Sequence, residues 1–164
     1  MKTIALAVLL ATTLAVAQEK PIVYRLEYTI TEMDGAKKLT SRSYTLQVED
    51  RHKGTMRVGT RVAVSGSNPL EPATQFEYRE VGVNLDALPS TLDATSLRLE
   101  TTVDINSLVT PDGSAGAGRR PVNRNCRDQV STIIPLDKLV TLTTQDDPSY
   151  NTSMQVQVIA HLVK

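Results

Sequence analysis

Apolar and polar side chains alternate at every second position through most of this sequence, and this period constrains the fold more than any other feature. The cleanest stretch places Leu97, Leu99, Val103 and Ile105 on one side of an extended segment, with charged and hydroxyl side chains between them. Successive side chains of a β-strand point to opposite faces, so the pattern is typical of a strand with one buried face. No stretch shows a convincing amphipathic-helix spacing. The alternation therefore predicts an all-β chain.

The same alternation recurs in several segments that are separated by turn-forming residues. A first pair, at 22–30 and 41–50, is joined through Asp34-Gly35, a dipeptide that favours a hairpin turn. Further candidate strands lie at 56–64, 76–85, 97–105, 130–134, 139–144 and 154–162. About seven to nine strands with short connections predict an antiparallel β-sandwich or a partly open barrel.

One of these strands breaks its own alternation. Phe76 and Tyr78 occupy one parity, whereas Val81 and Val83 occupy the other. Such a switch predicts a β-bulge or a twist between the two pairs, and Gly82 makes an irregular backbone easier to tolerate.

The N-terminal residues have the layout of a secretory signal peptide. Lys2 precedes an apolar run over 3–16, and the run ends in the small-residue triplet Ala15-Val16-Ala17. The run is shorter than the roughly 20 residues that a membrane-spanning helix needs. We therefore expect a signal peptide at 1–17, a single domain at 18–164, and a periplasmic or secreted location without a stable membrane span.

Composition argues against several kinds of partner. Lys and Arg number 18 and Asp and Glu also number 18, so the chain has no net charge to attract nucleic acid. It contains no Trp and one Phe, which leaves little aromatic surface on which bases could stack. Cys126 is the only cysteine, so no internal disulfide is possible, and the sequence leaves open whether this thiol is free or cross-linked.

No motif indicates chemistry. His52 and His161 are the only histidines, and neither has the neighbours of a metal site or of a catalytic triad in its sequence vicinity. We therefore expect no enzyme, no cofactor and no metal site.

A run of arginines is the one candidate interaction surface. Its members are Arg119, Arg120, Arg124 and Arg127, and Asp128 follows them. The run is typical of a solvated loop, but it also fits a docking surface for an acidic partner.

The order of motifs in the second part of the chain resembles the conserved domain of bacterial secretins. The matching segments are 58–64 (VGTRVAV), 78–85 (YREVGVNL), the alternating stretch 97–105, and 121–124 (PVNR) followed by Ser131-Thr132. Secretins are the ring-forming outer-membrane channels of type II and type III secretion and of type IV pilus machines.

The resemblance covers about residues 54–164 and implies a reduced secretin-type β-domain that carries no catalytic residues. Ala63 stands where the family usually has Pro, and the chain is too short for the ring-building modules that precede this domain in the family.

These observations support two hypotheses of function. The first is an exported, non-enzymatic β-domain that acts by protein–protein contact in the cell envelope, through self-association or an envelope partner, as an accessory or oligomeric component of a secretion- or pilus-type assembly. The alternative is a periplasmic domain that binds a small hydrophobic ligand in a pocket lined by Tyr24, Tyr28, Tyr44 and Phe76.

Overall fold

The computed structural model describes residues 20–65, 76–109, 122–147 and 152–163. These residues form eight β-strands and no helix. The strands are β1 (Val23–Asp34), β2 (Lys37–Glu49), β3 (Gly54–Ser65), β4 (Phe76–Thr91), β5 (Ser96–Val109), β6 (Val122–Pro135), β7 (Val140–Asp147) and β8 (Thr152–Val163). The predicted all-β class is confirmed, and the strand number lies within the expected range.

The strands form two antiparallel sheets of four, in the orders β2-β1-β8-β7 and β3-β4-β5-β6. β2 lies next to β3 and β6 lies next to β7, so the two sheets are stacked with their edges aligned. Within the described residues neither sheet closes on itself. The architecture is therefore a β-sandwich with open edges, which is one of the two forms that the sequence predicts.

The core lies between the inner faces of the two sheets, and the alternating residues fill it. Leu97 and Leu99 are fully buried, Val103 is 2% exposed and Ile105 is 9% exposed, as the alternation in β5 predicts. Burial of each such side chain contributes about 1.5–3 kcal/mol. The sandwich is therefore held together mainly by the apolar faces of its strands.

Two buried tyrosines connect the sheets through their hydroxyl groups. The Tyr24 hydroxyl lies 2.8 Å from Oγ1 of Thr91, and the Tyr28 hydroxyl lies 3.0 Å from Oγ1 of Thr101. Thr101 Oγ1 also donates a hydrogen bond to the carbonyl of Asp86, at 2.8 Å. Each phenol is thus satisfied inside the core, as a buried polar group must be.

The predicted hairpin between the first two strands is confirmed. Asp34 pairs with Lys37, and Gly35 in the turn has a φ of 54°. A positive φ is easily adopted by glycine because it has no Cβ. The second strand begins at Lys37, earlier than the alternation indicates.

The bulge expected in the fourth strand is absent. β3 and β4 pair residue for residue from Gly54 with Ala87 to Ser65 with Phe76. The parity change arises because Tyr78 lies on the outer face of the sheet, where its side chain is 67% exposed. The register shifts that do occur are in other pairs, at Glu32/Met33 between β1 and β2 and at Thr141/Thr143 between β7 and β8.

Candidate functional site

The most distinctive surfaces of this sandwich are its two lateral sides. We call them the β2–β3 side and the β6–β7 side, after the edge strands that form them. An edge strand presents backbone N–H and C=O groups that have no partner within its own sheet. Both sides are therefore surfaces onto which another strand can pair.

The β2–β3 side carries an exposed group of cations. Lys37, Lys38 and Arg42 all lie in the first half of β2, where every side chain is exposed. None of the three forms an ion pair with another of the described residues. This half of β2 is therefore a positively charged edge, and we call it the basic edge.

The β6–β7 side contains an ion cluster that joins the two sheets. Arg124 of β6 points inward with 11% of its side chain exposed. Its Nη1 donates to Oε1 of Glu32 at 2.6 Å, and its Nε lies 2.7 Å from Oδ2 of Asp147. Its Nη2 also donates to Oγ1 of Thr152, at 3.4 Å. The cluster therefore fixes the end of β6 against three strands of the opposite sheet.

Cys126 lies on the same inward face of β6. Its thiol is 2.7 Å from Oε1 of Gln145, to which it donates a hydrogen bond, and the residue is 9% exposed. Burial raises the pKa of the Cys126 thiol, and the negative charge of Asp128 raises it further. The cysteine is thus a free, buried thiol in the protonated state and not an activated nucleophile.

The β3–β4 hairpin extends beyond the part of β4 that pairs with β5. Pairing between β4 and β5 begins at Gly82, so residues 76–81 of β4 pair with β3 alone. Val58, Val62 and Tyr78 in this region are 47%, 38% and 67% exposed. We call residues 58–65 with 76–81 the hairpin arm.

The base of the hairpin arm is a pair of opposed glycines, Gly59 and Gly82. The two backbones approach so closely there that a Cβ on Gly82 would overlap the carbonyl oxygen of Val58. The outer surface at this point is a groove of about 310 Å³, lined in part by Arg61, Glu80 and Asn106. The two glycines therefore permit a close approach of two regularly paired strands, where the sequence predicts a bulge or a twist.

A second ion group supports the base of the arm. The Asp86 carboxylate lies 2.7 Å from Nη2 of Arg57 and 3.2 Å from Nζ of Lys53. Burial acts to raise the pKa of Asp86, but hydrogen bonds from Arg57 and Lys53 outweigh it and hold this pKa below its usual value. Asp86 is therefore ionised at neutral pH and holds both Arg57 of β3 and Lys53, which directly precedes that strand.

The structure does not place the sequence-predicted arginines on one surface. Arg119 and Arg120 lie outside the described residues. Arg124 points between the sheets, whereas Arg127, three positions later, has the opposite parity and is exposed on the outer face. The interaction surface expected from this run stays a prediction.

The aromatic residues that were expected to line a ligand pocket do not form one accessible pocket among the described residues. Tyr24 is 2% exposed and Tyr28 is fully buried, so both are part of the core and line no accessible pocket. Tyr44 is partly buried and packs against that core, and the Phe76 side chain lies outside the described residues. The prediction is wrong for the two core tyrosines, because the opposite sheet covers the face on which they lie.

The two histidines lie apart. Nδ1 of His52 is 2.9 Å from the carbonyl oxygen of Asp50 in an exposed turn, whereas Nδ1 of His161 is 2.6 Å from Oδ1 of Asp137 on the outer face of β8. Among the described residues no group of three or more potential ligands could hold a metal ion. The same residues include no helix with the length and apolar character needed to cross a membrane.

The basic edge was not identified from the sequence. Lysines near a hairpin turn are ordinary solvent-exposed residues, and alternation does not reveal whether a strand is central or at an edge. The only available signal was that β2 carries few apolar residues in its first half. Strand order, which depends on long-range pairing, gives these residues their position.

No protein-family model matches the sequence, and no curated protein sequence matches it. The fold, in contrast, matches solved secretin structures. The type II secretion system secretin GspD of E. coli K12 superposes with a TM-score of 0.58 at 10% identity, over 88% of this chain and 51% of that chain. The type II secretin GspD from enteropathogenic Escherichia coli gives 0.54 at 8% identity, over 88% of this chain and 70% of that chain.

A third similar structure is the InvG secretin domain β-barrel from the Salmonella SPI-1 injectisome. It has a TM-score of 0.50 at 11% identity, over 88% of this chain and 64% of that chain. The chain thus spans about half the length of the first of these proteins. The predicted resemblance to a secretin-type β-domain is confirmed at the level of the fold, and it extends to more of the chain than residues 54–164.

Proposed function

We propose that this chain is an exported, non-enzymatic β-domain that acts by protein–protein contact in the bacterial cell envelope, as an oligomeric component of a secretion- or pilus-type assembly. After removal of residues 1–17, the domain comprises residues 18–164. The observation that carries the proposal is the pair of open lateral sides on a fold shared with secretins.

The direction of the strands supports self-association through these sides. Each sheet has four antiparallel strands, so its two edge strands run in opposite directions. A second copy in the same orientation therefore presents β2 beside β7 and β3 beside β6, with both new junctions antiparallel. Such a contact extends both sheets at once without changing the alternation of strand direction.

The symmetry of this contact determines what it can build. It joins two different surfaces of the chain, the β2–β3 side of one copy and the β6–β7 side of the next, so it is heterologous. A heterologous contact forms a closed ring when the rotation between copies closes, and a filament when it does not. A ring leaves no free sheet edge, which removes the risk of uncontrolled aggregation through exposed strands.

The similar structures support the kind of assembly that we propose. Two of them are named as secretins of type II secretion systems, and a third as part of an injectisome. A role in an envelope assembly agrees with the signal peptide expected at residues 1–17. It also agrees with a fold in which the described residues form open strand edges and a packed core.

The proposal is tested on the chain purified from the envelope of a bacterial host. Size-exclusion chromatography with light scattering should show a multimer, and crosslinking in intact cells should recover the chain with itself or with an envelope partner. Mass spectrometry should show an N-terminus at Gln18. A chain that is strictly monomeric at high concentration and crosslinks to no envelope protein would contradict the proposal.

A further inference from the structure

A groove crosses the outer face of the β3-β4-β5-β6 sheet at the level of its two opposed glycines. Gly59, Gly82, Asn106 and Asn125 lie at this level, each paired with the next across the sheet. The two glycines leave a gap in the layer of outer side chains, and the gap is the groove of about 310 Å³ at the base of the hairpin arm. The groove therefore has a floor of backbone and walls of polar side chains.

Asp104 orients the amides at the β5 end of the groove. Its Oδ1 accepts hydrogen bonds from Nδ2 of Asn125 at 2.9 Å and from Nδ2 of Asn106 at 3.2 Å. Nδ2 of Asn125 also donates to Oδ1 of Asn106, at 2.7 Å. An amide has two N–H donors and two oxygen lone pairs, so Asn106 is fixed in orientation and still has a donor and an acceptor for a ligand.

The two walls of the groove place further donors and acceptors side by side. On one wall, Oε1 of Glu80 accepts hydrogen bonds from Nε and Nη2 of Arg61, both at 3.1 Å. Among the described residues, the second oxygen of Glu80 and Nη1 of Arg61 have no other partner. On the opposite wall, the side-chain amide of Asn84 forms no hydrogen bond with another described residue. The groove thus offers both kinds of hydrogen-bonding group from each wall.

This mixture indicates the chemical class of the ligand. A hydroxyl group both donates and accepts, whereas an ionised carboxylate only accepts and an ammonium group only donates. The charges around the groove are compensated, because Arg61 is paired with Glu80, and Arg57 with Asp86. The groove therefore fits an uncharged ligand rich in hydroxyl groups, which is the chemistry of a saccharide.

The same face continues the groove in both directions along β4. Tyr78 lies four positions before Gly82 and Asp86 four positions after it, which is about 13 Å along a strand in each direction. The Tyr78 side chain is 67% exposed, and a phenol offers a flat apolar ring with a polar end. A second polar groove, of about 230 Å³, lies beside Asp86 and is lined in part by Thr102 and Gln129. The face therefore has room for a chain of several units.

We propose that the outer face of the β3-β4-β5-β6 sheet binds a linear, uncharged oligosaccharide, with one sugar ring over the Gly59–Gly82 floor and another against Tyr78. The inference goes beyond the proposed function, because it assigns a ligand to the sheet face and requires no contact between copies. An extended peptide fits this face less well. It binds through its backbone at a strand edge, whereas β4 and β5 already have a strand on each side.

Isothermal titration calorimetry of the full chain with chitohexaose and with maltohexaose tests the site. At least one of these uncharged hexamers should bind saturably, with a dissociation constant in the millimolar range or lower. Tyr78→Ala and Asn84→Ala should each raise that constant about tenfold, as the loss of a ring contact or of the hydrogen bonds of one amide would. Tyr78→Phe keeps the ring and should bind nearly as tightly as the wild type.

Two matched controls lie on outer faces away from the groove. Ile133→Ala removes an exposed apolar side chain from β6 of the same sheet, and Gln157→Ala removes an amide from β8 of the other sheet. Neither should change the dissociation constant. Equal urea midpoints for Tyr78→Ala and the wild type would show that the variant retains the fold.

Several results would overturn the inference. One is the absence of binding by either hexamer, and another is binding that Tyr78→Ala and Asn84→Ala leave as tight as in the wild type. Equal weakening by the two controls would also contradict it, because the effect would not depend on the groove. Saturable binding of a soluble Ser/Thr-rich peptide in place of the hexamers, lost in Tyr78→Ala, would assign the groove to polypeptide.

The same measurements separate this inference from the proposed function. A chain that binds a hexamer but is strictly monomeric contradicts the proposed function alone. A chain that associates but binds neither hexamer contradicts the saccharide site alone.

Discussion

Gly82→Ala tests the close approach of β3 and β4 at the base of the hairpin arm. A Cβ on Gly82 would overlap the carbonyl oxygen of Val58 and lie 2.5 Å from the Cα of Gly59. Both of these atoms belong to the backbone, so no side-chain rotation relieves the overlap. Carbon atoms in ordinary contact are about 3.5–4.0 Å apart, so the strands must separate by about 1 Å.

Two effects of this substitution have opposite signs, and their sizes decide the outcome. Replacing a strand glycine by alanine stabilises a protein by about 0.5–1 kcal/mol through backbone entropy when the site has room. Forcing extra atoms into a filled site costs about 1–3 kcal/mol, and a backbone clash lies at the upper end of that range. We therefore expect Gly82→Ala to lower the free energy of unfolding by about 2 kcal/mol.

Urea unfolding followed by far-ultraviolet circular dichroism measures this change. With a slope of about 1–3 kcal/mol per molar urea, the midpoint should fall by about 1 M. Gly59→Ala is the matched control, because its Cβ would lie 3.0 Å from the carbonyl oxygen of Val81 and requires a smaller shift. A Gly82→Ala midpoint at or above that of the wild type would refute the close approach.

Three further substitutions test the core, the ion cluster and the buried phenol. Burial raises the pKa of Tyr28 to about 12 from 10.0, so the free energy of unfolding should fall as pH rises from about 10 to about 12, and Tyr28→Phe should remove that loss. Arg124→Gln should destabilise the fold by about 2 kcal/mol in urea unfolding, whereas Arg127→Gln should change it by less than about 0.5 kcal/mol. Leu99→Ala should cost about 2–5 kcal/mol, whereas Ile133→Ala, at a side chain 56% exposed, should cost far less in the same assay.

Alternation predicts the local structure of this chain well, because burial on one face of a strand is a local property. It identifies β5 and the inward residues of β8, and the Asp34-Gly35 turn identifies the first hairpin. It fails at Tyr78, whose large side chain resembles a core residue but lies on the outer face. At this position the large aromatic ring of the tyrosine does not determine whether its side chain is buried or exposed.

The order of the strands is the part of the fold that the sequence did not reveal. β1 pairs with β8, at the far end of the chain, and this pairing leaves β2 and β7 as edges. No local sequence pattern predicts a pairing between two strands that are so distant in sequence. The candidate site depends on this order, because the cations of β2 form a basic edge only when β2 is the outermost strand of its sheet.

The arginine run shows that sequence-based prediction has the same limit within a single short segment. Arg124 and Arg127 are close in sequence and similar in chemistry, yet the period of the strand sends them to opposite faces. One is held by Glu32 and Asp147 between the sheets, and the other is exposed to solvent. Charge patterning alone does not distinguish an internal ion cluster from a surface.

Amide hydrogen exchange on the edge strands tests the central claim most directly. In the associated chain, the outward-pointing amides of β2 and β7 should exchange more slowly than in the dissociated chain, because pairing between copies gives them new hydrogen-bond partners. The amides of β1 and β8, which have a neighbour on each side, should be protected in both states. Equal exchange at β2 and β7 in the two states would show that the chain does not associate through its strand edges.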